Sequence, residues 1–275
     1  MKEETMKEET MKEEINLSAS EQRRYGTDSL ALACRRGVNE QFAQADFDGW
    51  VFDSLQLRQG LNVLDVGCGD GKHLFKSAEL VSPGGRVVGV DISEESLRRC
   101  AEKIKRRQIK NIQLHNCDLT QVKETFPPPT KFDRILSSFA VYYTSDAEKT
   151  FGECYELLTR EGVLFFCGPT KRSNQEFLRL AQSAGCRKRY SQWAGFLQDK
   201  GRNLLERIAG NVEVISFENP VAYPDAETLY NYWKSTQLYD QSLETPMKEA
   251  IEKEFKKSSK FINTKVTMGL RCTKS

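Results

Sequence analysis

The strongest constraint on the fold is one short run, Leu61-Asn62-Val63-Leu64-Asp65-Val66-Gly67-Cys68-Gly69-Asp70-Gly71, followed twenty residues past Gly71 by Asp91. Val63, Leu64 and Val66 read as a strand buried on both faces, the pattern of parallel sheets. Glycine then stands at every second position, where a ligand can lie against bare backbone. A second apolar run, Val87-Val88-Gly89-Val90, ends in the Asp91 carboxylate, the place where a neighbouring strand tip grips a ribose diol. Together the two runs predict a crevice for a nucleotide-type cofactor.

The loop does not suit every such cofactor. A dinucleotide fingerprint needs a third glycine where this chain has Lys72, and Asp65 at the strand end would repel a pyrophosphate while serving an ammonium group. No G-x-x-x-x-G-K-[ST] is present to cradle the phosphates of a nucleoside triphosphate.

Val63 to Gly71 resembles motif I of the class I S-adenosylmethionine-dependent methyltransferases. The resemblance continues through Asp91, Asn116-Cys117-Asp118-Leu119, Phe132 to Ser138, and Leu157 to Leu164, covering about residues 45 to 168. It implies S-adenosyl-L-methionine as cofactor and assigns roles position by position. Gly67, Cys68, Gly69 and Gly71 would pass beneath the methionine and ribose portions, and Asp65 would orient the amino end. Asp91 would take both ribose hydroxyls, with Ile92 beside it. Asp118 would accept from the adenine amine between Cys117 and Leu119, and Ser137 would lie beside the methyl group. Two plainer readings stand next to these: Asp118 as the N-cap of a following turn, and Ser137 with Ser138 as small residues that only leave room.

Strand and helix signals alternate from residue 62 onward: Asn62–Val66, a helix near 72–80, Arg86–Asp91, a helix over 94–107, and Ile112–Asn116. Strands over 134–137 and 163–167 follow, separated by a helix near 147–158. The expected fold is α/β, a doubly wound, mostly parallel seven-stranded sheet of Rossmann-like type with a helical cap. Helices are expected over 174–184 and 190–209, and the last two strands over 212–217 and 261–272. Residues 1–14 repeat Met-Lys-Glu-Glu-Thr without an apolar stripe and read as a low-complexity tail. Residues 15–57 read as an N-terminal helical cap and 58–275 as the methyltransferase domain. The stretch 225–257, rich in Tyr230, Tyr232, Trp233 and Tyr239, reads as a helical lid insert.

The chain has 275 residues and 39% hydrophobic content, enough for one elaborated α/β domain. Its eight cysteines are scattered without C-x-x-C pairs and its two histidines lack zinc-site spacing, so no metal is expected. No apolar run is long enough to span a bilayer, and the charged N-terminus is not a signal sequence, so a cytoplasmic protein without a membrane partner is expected. The net charge of +2 includes basic clusters near Arg98 to Lys110, Arg187 to Arg189 and Lys253 to Lys260. The first is the polar face of a helix, which makes nucleic acid the weaker reading of partner. Oligomeric state is not legible.

Methyl transfer from a sulfonium is an in-line displacement that needs alignment and exclusion of water, with a base only for a protonated acceptor. His73, Tyr142 and Tyr25 are the catalytic candidates, each with a structural alternative. Of Tyr142 and Tyr143, one is expected to line the pocket and one to pack beneath it. Ser137-Ser138-Phe139-Ala140 replaces the Pro-Pro-Tyr set that holds a flipped base, which favours a small-molecule acceptor attacking through oxygen or nitrogen. An RNA or protein methyltransferase, or a cofactor-binding scaffold without turnover, is the alternative.

Overall fold

The computed structural model of the chain describes residues 29–188 and 193–275. The tail over 1–14 and the candidate Tyr25 lie outside these residues. The chain divides into two compact units. One takes residues up to Gln44 with Asn174–Gln192 and Pro220–Thr264; the other takes Ala45–Ser173, Trp193–Asn219 and Lys265–Ser275.

The strands are β1 (Asn62–Val66), β2 (Arg86–Asp91), β3 (Ile112–Asn116), β4 (Phe132–Ser138), β5 (Leu158–Pro169), β6 (Glu213–Tyr223) and β7 (Phe261–Thr273). They form a seven-stranded sheet in the order β3-β2-β1-β4-β5-β7-β6. β1 pairs in parallel with β2 and β4, β2 with β3, and β4 with β5, whereas β7 runs antiparallel to β5. This is the mixed, mostly parallel sheet expected from the alternating pattern. Val63, Leu64, Val66, Val87, Val90, Ile135 and Leu136 are all fully buried, as parallel strands covered on both faces require. The register opposes Val66 to Val90 and Asp91 to Asn116, so the carboxyl ends of the first three strands sit level. Ligands of open α/β sheets bind at such ends.

The helices are α1 (Ser29–Phe42), α2 (Phe47–Leu55), α3 (Leu74–Leu80), α4 (Glu94–Arg107), α5 (Val122–Thr125), α6 (Ala147–Leu157), α7 (Gln175–Ser183), α8 (Arg202–Ala209), α9 (Ala226–Lys234) and α10 (Glu244–Phe255). Local chemistry explains several ends. Ser93 caps α4 by accepting from the Ser96 amide, Glu94 and Glu95 complement the positive helix start, and Gln108 closes it in a left-handed conformation. Asp46 accepts from the Gly49 amide and starts α2.

Residues 190–209 depart from the expected single helix. Residues 189–192 lie outside the description, and the chain then turns at Gly195 with φ 90°. It continues as a π-helical segment, Leu197–Gly201, before α8. The inserted aromatic stretch also has a definite place. Within the first unit Tyr232 and Trp233 are fully buried among Phe177, Tyr223, Met247 and Ile251. Phe177 meets Tyr232 at 5.2 Å and Trp233 meets Tyr239 at 5.0 Å between ring centroids. These rings form that unit's own core.

Among the described residues no helix is long and apolar enough to cross a membrane, and no group of metal-ligating side chains is assembled. The cysteines are free thiols, Cys34 exposed and the other seven buried.

Candidate functional site

The glycine loop leaves β1 and bends at once. Gly67, Gly69 and Gly71 have φ values of 79°, 55° and 89°, a left-handed region that side chains seldom enter. The Gly67 and Cys68 amides both donate to the Val90 carbonyl, at 2.8 and 3.0 Å, which binds the loop to the end of β2. The Gly69 amide donates to Asp91 Oδ2 at 2.7 Å and the Ser93 amide to Asp91 Oδ1 at 2.8 Å. Each carboxylate oxygen therefore accepts from a backbone amide, and loop and strand end are locked together. The direction in which a Gly69 side chain would project is open space, while a Cβ on Gly67 would stand 2.2 Å from the Ala140 methyl. The loop thus packs tightly against the segment after β4 and stays open at its middle. Lys103 of α4 braces it from outside through Asp70 Oδ2 at 2.9 Å.

Two buried carboxyls make the loop electrostatically unusual. Burial, and then the charge of Asp91, push Asp65 up to about 8. Burial also raises Asp91, against the lowering effect of the Ser93, Gly69 and Ile92 amides. No cation among the described residues pairs with Asp65. A cationic group placed between these carboxylates would relieve both.

Beyond β3, Asp118 Oδ1 accepts from the Thr120 amide at 2.9 Å and the Thr120 hydroxyl at 2.8 Å, so it does cap the following turn. Its Oδ2 has no bond among the described residues. Cys117 is buried and donates to the Asp118 carbonyl, and Leu119 packs on the main core. Ile92, by contrast, is 54% exposed beside Asp91. Ser137 is fully buried and its hydroxyl donates to the Val66 carbonyl at 2.8 Å. That hydroxyl ties β4 to β1.

After β4 the chain carries a row of aromatics. Tyr142 is buried, 4.7 Å from the Tyr143 ring, and Tyr143 lies 5.7 Å from Trp193. A Cβ on Gly168 would come 2.9 Å from the Tyr142 ring, so this glycine makes the space that Tyr142 fills. Tyr142 is therefore the packed member of the pair and Tyr143 the more open one. His73 is also buried; its Nε2 lies 3.4 Å from Asp48 Oδ1, between the rings of Phe47 and Phe52. Lys72 Nζ reaches the same oxygen at 3.0 Å. Burial opposes ionisation of Asp48, but the His73 hydrogen bond and the Lys72 charge prevail and bring it down to about 2.

Sequence patterns did not point to the contacts of Asp48 with His73, of Trp193 with Tyr143, or of Phe217 with Phe47. Phe47 touches Phe139 and Phe217, each at 5.7 Å, and Trp50 lies against Phe217 at 5.1 Å. These contacts join residues far apart in the chain and carry no local signal. A single cue existed at Phe139, in the place of a known substrate-holding motif.

The sheet order, the loop clamped to an acidic strand end, and the buried acidic pair converge with one further finding. A sequence model described as a methyltransferase domain matches residues 57–209, more than half of the chain. The chain belongs to the class I S-adenosylmethionine-dependent methyltransferase family. Members of this family with curated names resemble it over part of their length. Nocamycin O-methyltransferase of Saccharothrix syringae is 32% identical over 43% of this chain and 41% of its own. The demethylmenaquinone methyltransferase of Listeria monocytogenes is 30% identical over 44% of this chain and 49% of its own. The match thus spans about half the length of these relatives. Among solved structures, the 4+2 cyclase SpnF shares the fold at a TM-score of 0.56 and 14% identity, covering 94% of this chain and 98% of that one.

Proposed function

We propose that the chain transfers the methyl group of S-adenosylmethionine to an oxygen or nitrogen atom of a small molecule. The observation that carries this reading is the Asp91 carboxylate, held by the Gly69 and Ser93 amides at the edge of the glycine loop. Held this way, it keeps a lone pair on each oxygen for the two ribose hydroxyls. Asp65 would meet the ammonium group, which suits a buried carboxyl without a cation. Asp118 Oδ2 would take the adenine amine, with Ile92 and Cys117 beside the ring and Leu119 behind it. The open direction at Gly69 and the bare backbone of Gly67 and Gly71 leave room for the chain of the donor to pass.

When bound, the sulfonium supplies an activated methyl group. The protein's own task is to align the acceptor and exclude water. His73, fixed by Asp48, and Tyr142, fixed by Tyr143 and Gly168, are placed to hold the site's shape; Tyr25 is retained as a candidate from its sequence position. The basic face of α4 gives little support to a nucleic-acid partner, because Arg98 is paired with both Glu95 and Glu102. The second reading is a donor-binding protein that transfers no methyl group, because a cyclase shares this fold and a fold alone does not fix an activity.

Calorimetry with S-adenosylhomocysteine tests the donor reading. Asp91→Ala is expected to weaken binding by about 2 kcal/mol, the worth of hydrogen bonds to a charged acceptor. Equal affinity in variant and parent removes Asp91 from the site, and tighter binding of NADH overturns the reading. Transfer of labelled methyl to small hydroxyl or amine compounds, with none to RNA, separates the small-molecule enzyme from its alternatives.

A further inference from the structure

Phe139 combines three properties that rarely coincide. It is a bulky aromatic residue at φ 57°, in the left-handed region where its Cβ crowds the backbone. That conformation is held by its amide, which donates to the Cys167 carbonyl at 2.9 Å. The side chain is also 40% exposed, so core packing does not explain why a large ring occupies a position that glycine or asparagine would fill without strain. Strain of this kind concentrates where a side chain must be presented in a fixed direction.

The surroundings show what is presented. The next residue, Ala140, abuts Gly67 so closely that no side chain fits there, which places Phe139 one residue from the glycine loop. Its ring meets Phe47 edge-on at 5.7 Å and an interplanar angle of 63°. Phe47 in turn meets Phe217 edge-on and lies 5.6 Å from Trp50. Phe139 is thus the exposed rim of an aromatic cluster whose other members are half-buried. An edge-on neighbour fixes the ring while leaving its remaining face for an outside group.

We infer that Phe139 is the specificity-determining wall of the acceptor subsite, and that the acceptor is a planar, π-rich molecule stacked on its exposed face. This rests on the methyltransferase reading above and narrows it from any small nucleophile to a flat aromatic one. Rigid aromatic walls favour flat partners because stacking adds to the area buried, whereas a saturated ring of the same outline gains only the burial.

The test uses the full chain saturated with S-adenosylhomocysteine and titrated with naphthol and with its saturated counterpart decalol. The parent is expected to bind naphthol about tenfold more tightly than decalol. Phe139→Gly, which removes the ring and relieves the positive φ, should abolish that preference while donor affinity stays at the parent value and the melting temperature holds or rises. Phe139→Leu, which keeps apolar bulk, should bind decalol as the parent does and lose the preference for naphthol. Equal binding of the two alcohols by the donor-bound parent overturns this proposal alone. So does an undiminished preference in both variants, or a fall of several degrees in the melting temperature of Phe139→Gly, which marks a packing role. Failure of the parent to bind S-adenosylhomocysteine overturns the methyltransferase reading, and this one with it.

Discussion

Asp65 sits at the end of a buried strand with another carboxylate for a neighbour, and the cost of its ionisation falls on the folded state alone. An unfolded aspartate titrates near 4, whereas burial and Asp91 hold the folded one at about 8. The folded chain therefore binds the extra proton across that interval. This contribution to stability is full below the unfolded value and is lost as pH rises through the folded one. Melting temperatures of the unliganded chain should accordingly decline between about pH 4 and pH 8, and Asp65→Asn should flatten the decline. An unchanged slope in the variant would assign it to other groups. Gly67 makes a second test at this scale. Gly67→Ala meets both a φ of 79° and the Ala140 methyl, so urea unfolding should show a loss of more than about 2 kcal/mol. Adding Ala140→Gly removes the clash and not the backbone strain, so the double variant should recover only part of the loss. Full recovery would mean that the positive φ costs nothing here.

At the scale of elements, helix ends with polar caps are independent contributions. Asp146 caps α6 by accepting from the Lys149 amide, and Asp146→Ala should cost about 1 kcal/mol in a denaturant titration without altering affinity for S-adenosylhomocysteine. Loss of binding along with stability would show that α6 is coupled to the loop. The same local determinants decide what was legible beforehand. β1, β2, β3 and α4 are found at their expected limits because apolar runs, Ser93 and the Glu94-Glu95 pair mark them within a few residues. The region after residue 190 differs from a single α-helix, because Leu197, Leu204, Leu205 and Ile208 keep a helical rhythm that does not report the backbone turn at Gly195 or the π-helical winding of Leu197–Gly201. The glycine loop and Asp91 were likewise visible as a pattern. The Asp48–His73–Lys72 group was not, since its contact is made between α2 and the start of α3. The Ser137 contact with Val66 was not legible for a related reason: a strand's sequence does not tell which of its faces meets a neighbour's carbonyl.

At the scale of the molecule, each of the two units is assembled from separated stretches of chain, and periodicity, which is a local property, does not report such assembly. The repeat over residues 1–14 has only Met1, Met6 and Met11 as apolar residues. Its deletion should leave the melting temperature and donor affinity unchanged, and a drop of several degrees would mean that it docks. One further feature bears on the molecule as a whole. Cys68 in the loop, Cys100 in α4, Cys117 after β3, Cys154 in α6, Cys167 in β5, Cys186 after α7 and Cys272 in β7 are all buried free thiols, and burial raises every one above its ordinary titration range. An alkylating reagent reaches such sulfur only while the element around it opens. The chain therefore carries one built-in clock in nearly every part of its architecture, with exposed Cys34 as the zero mark, and the order in which these clocks start records how the protein comes apart.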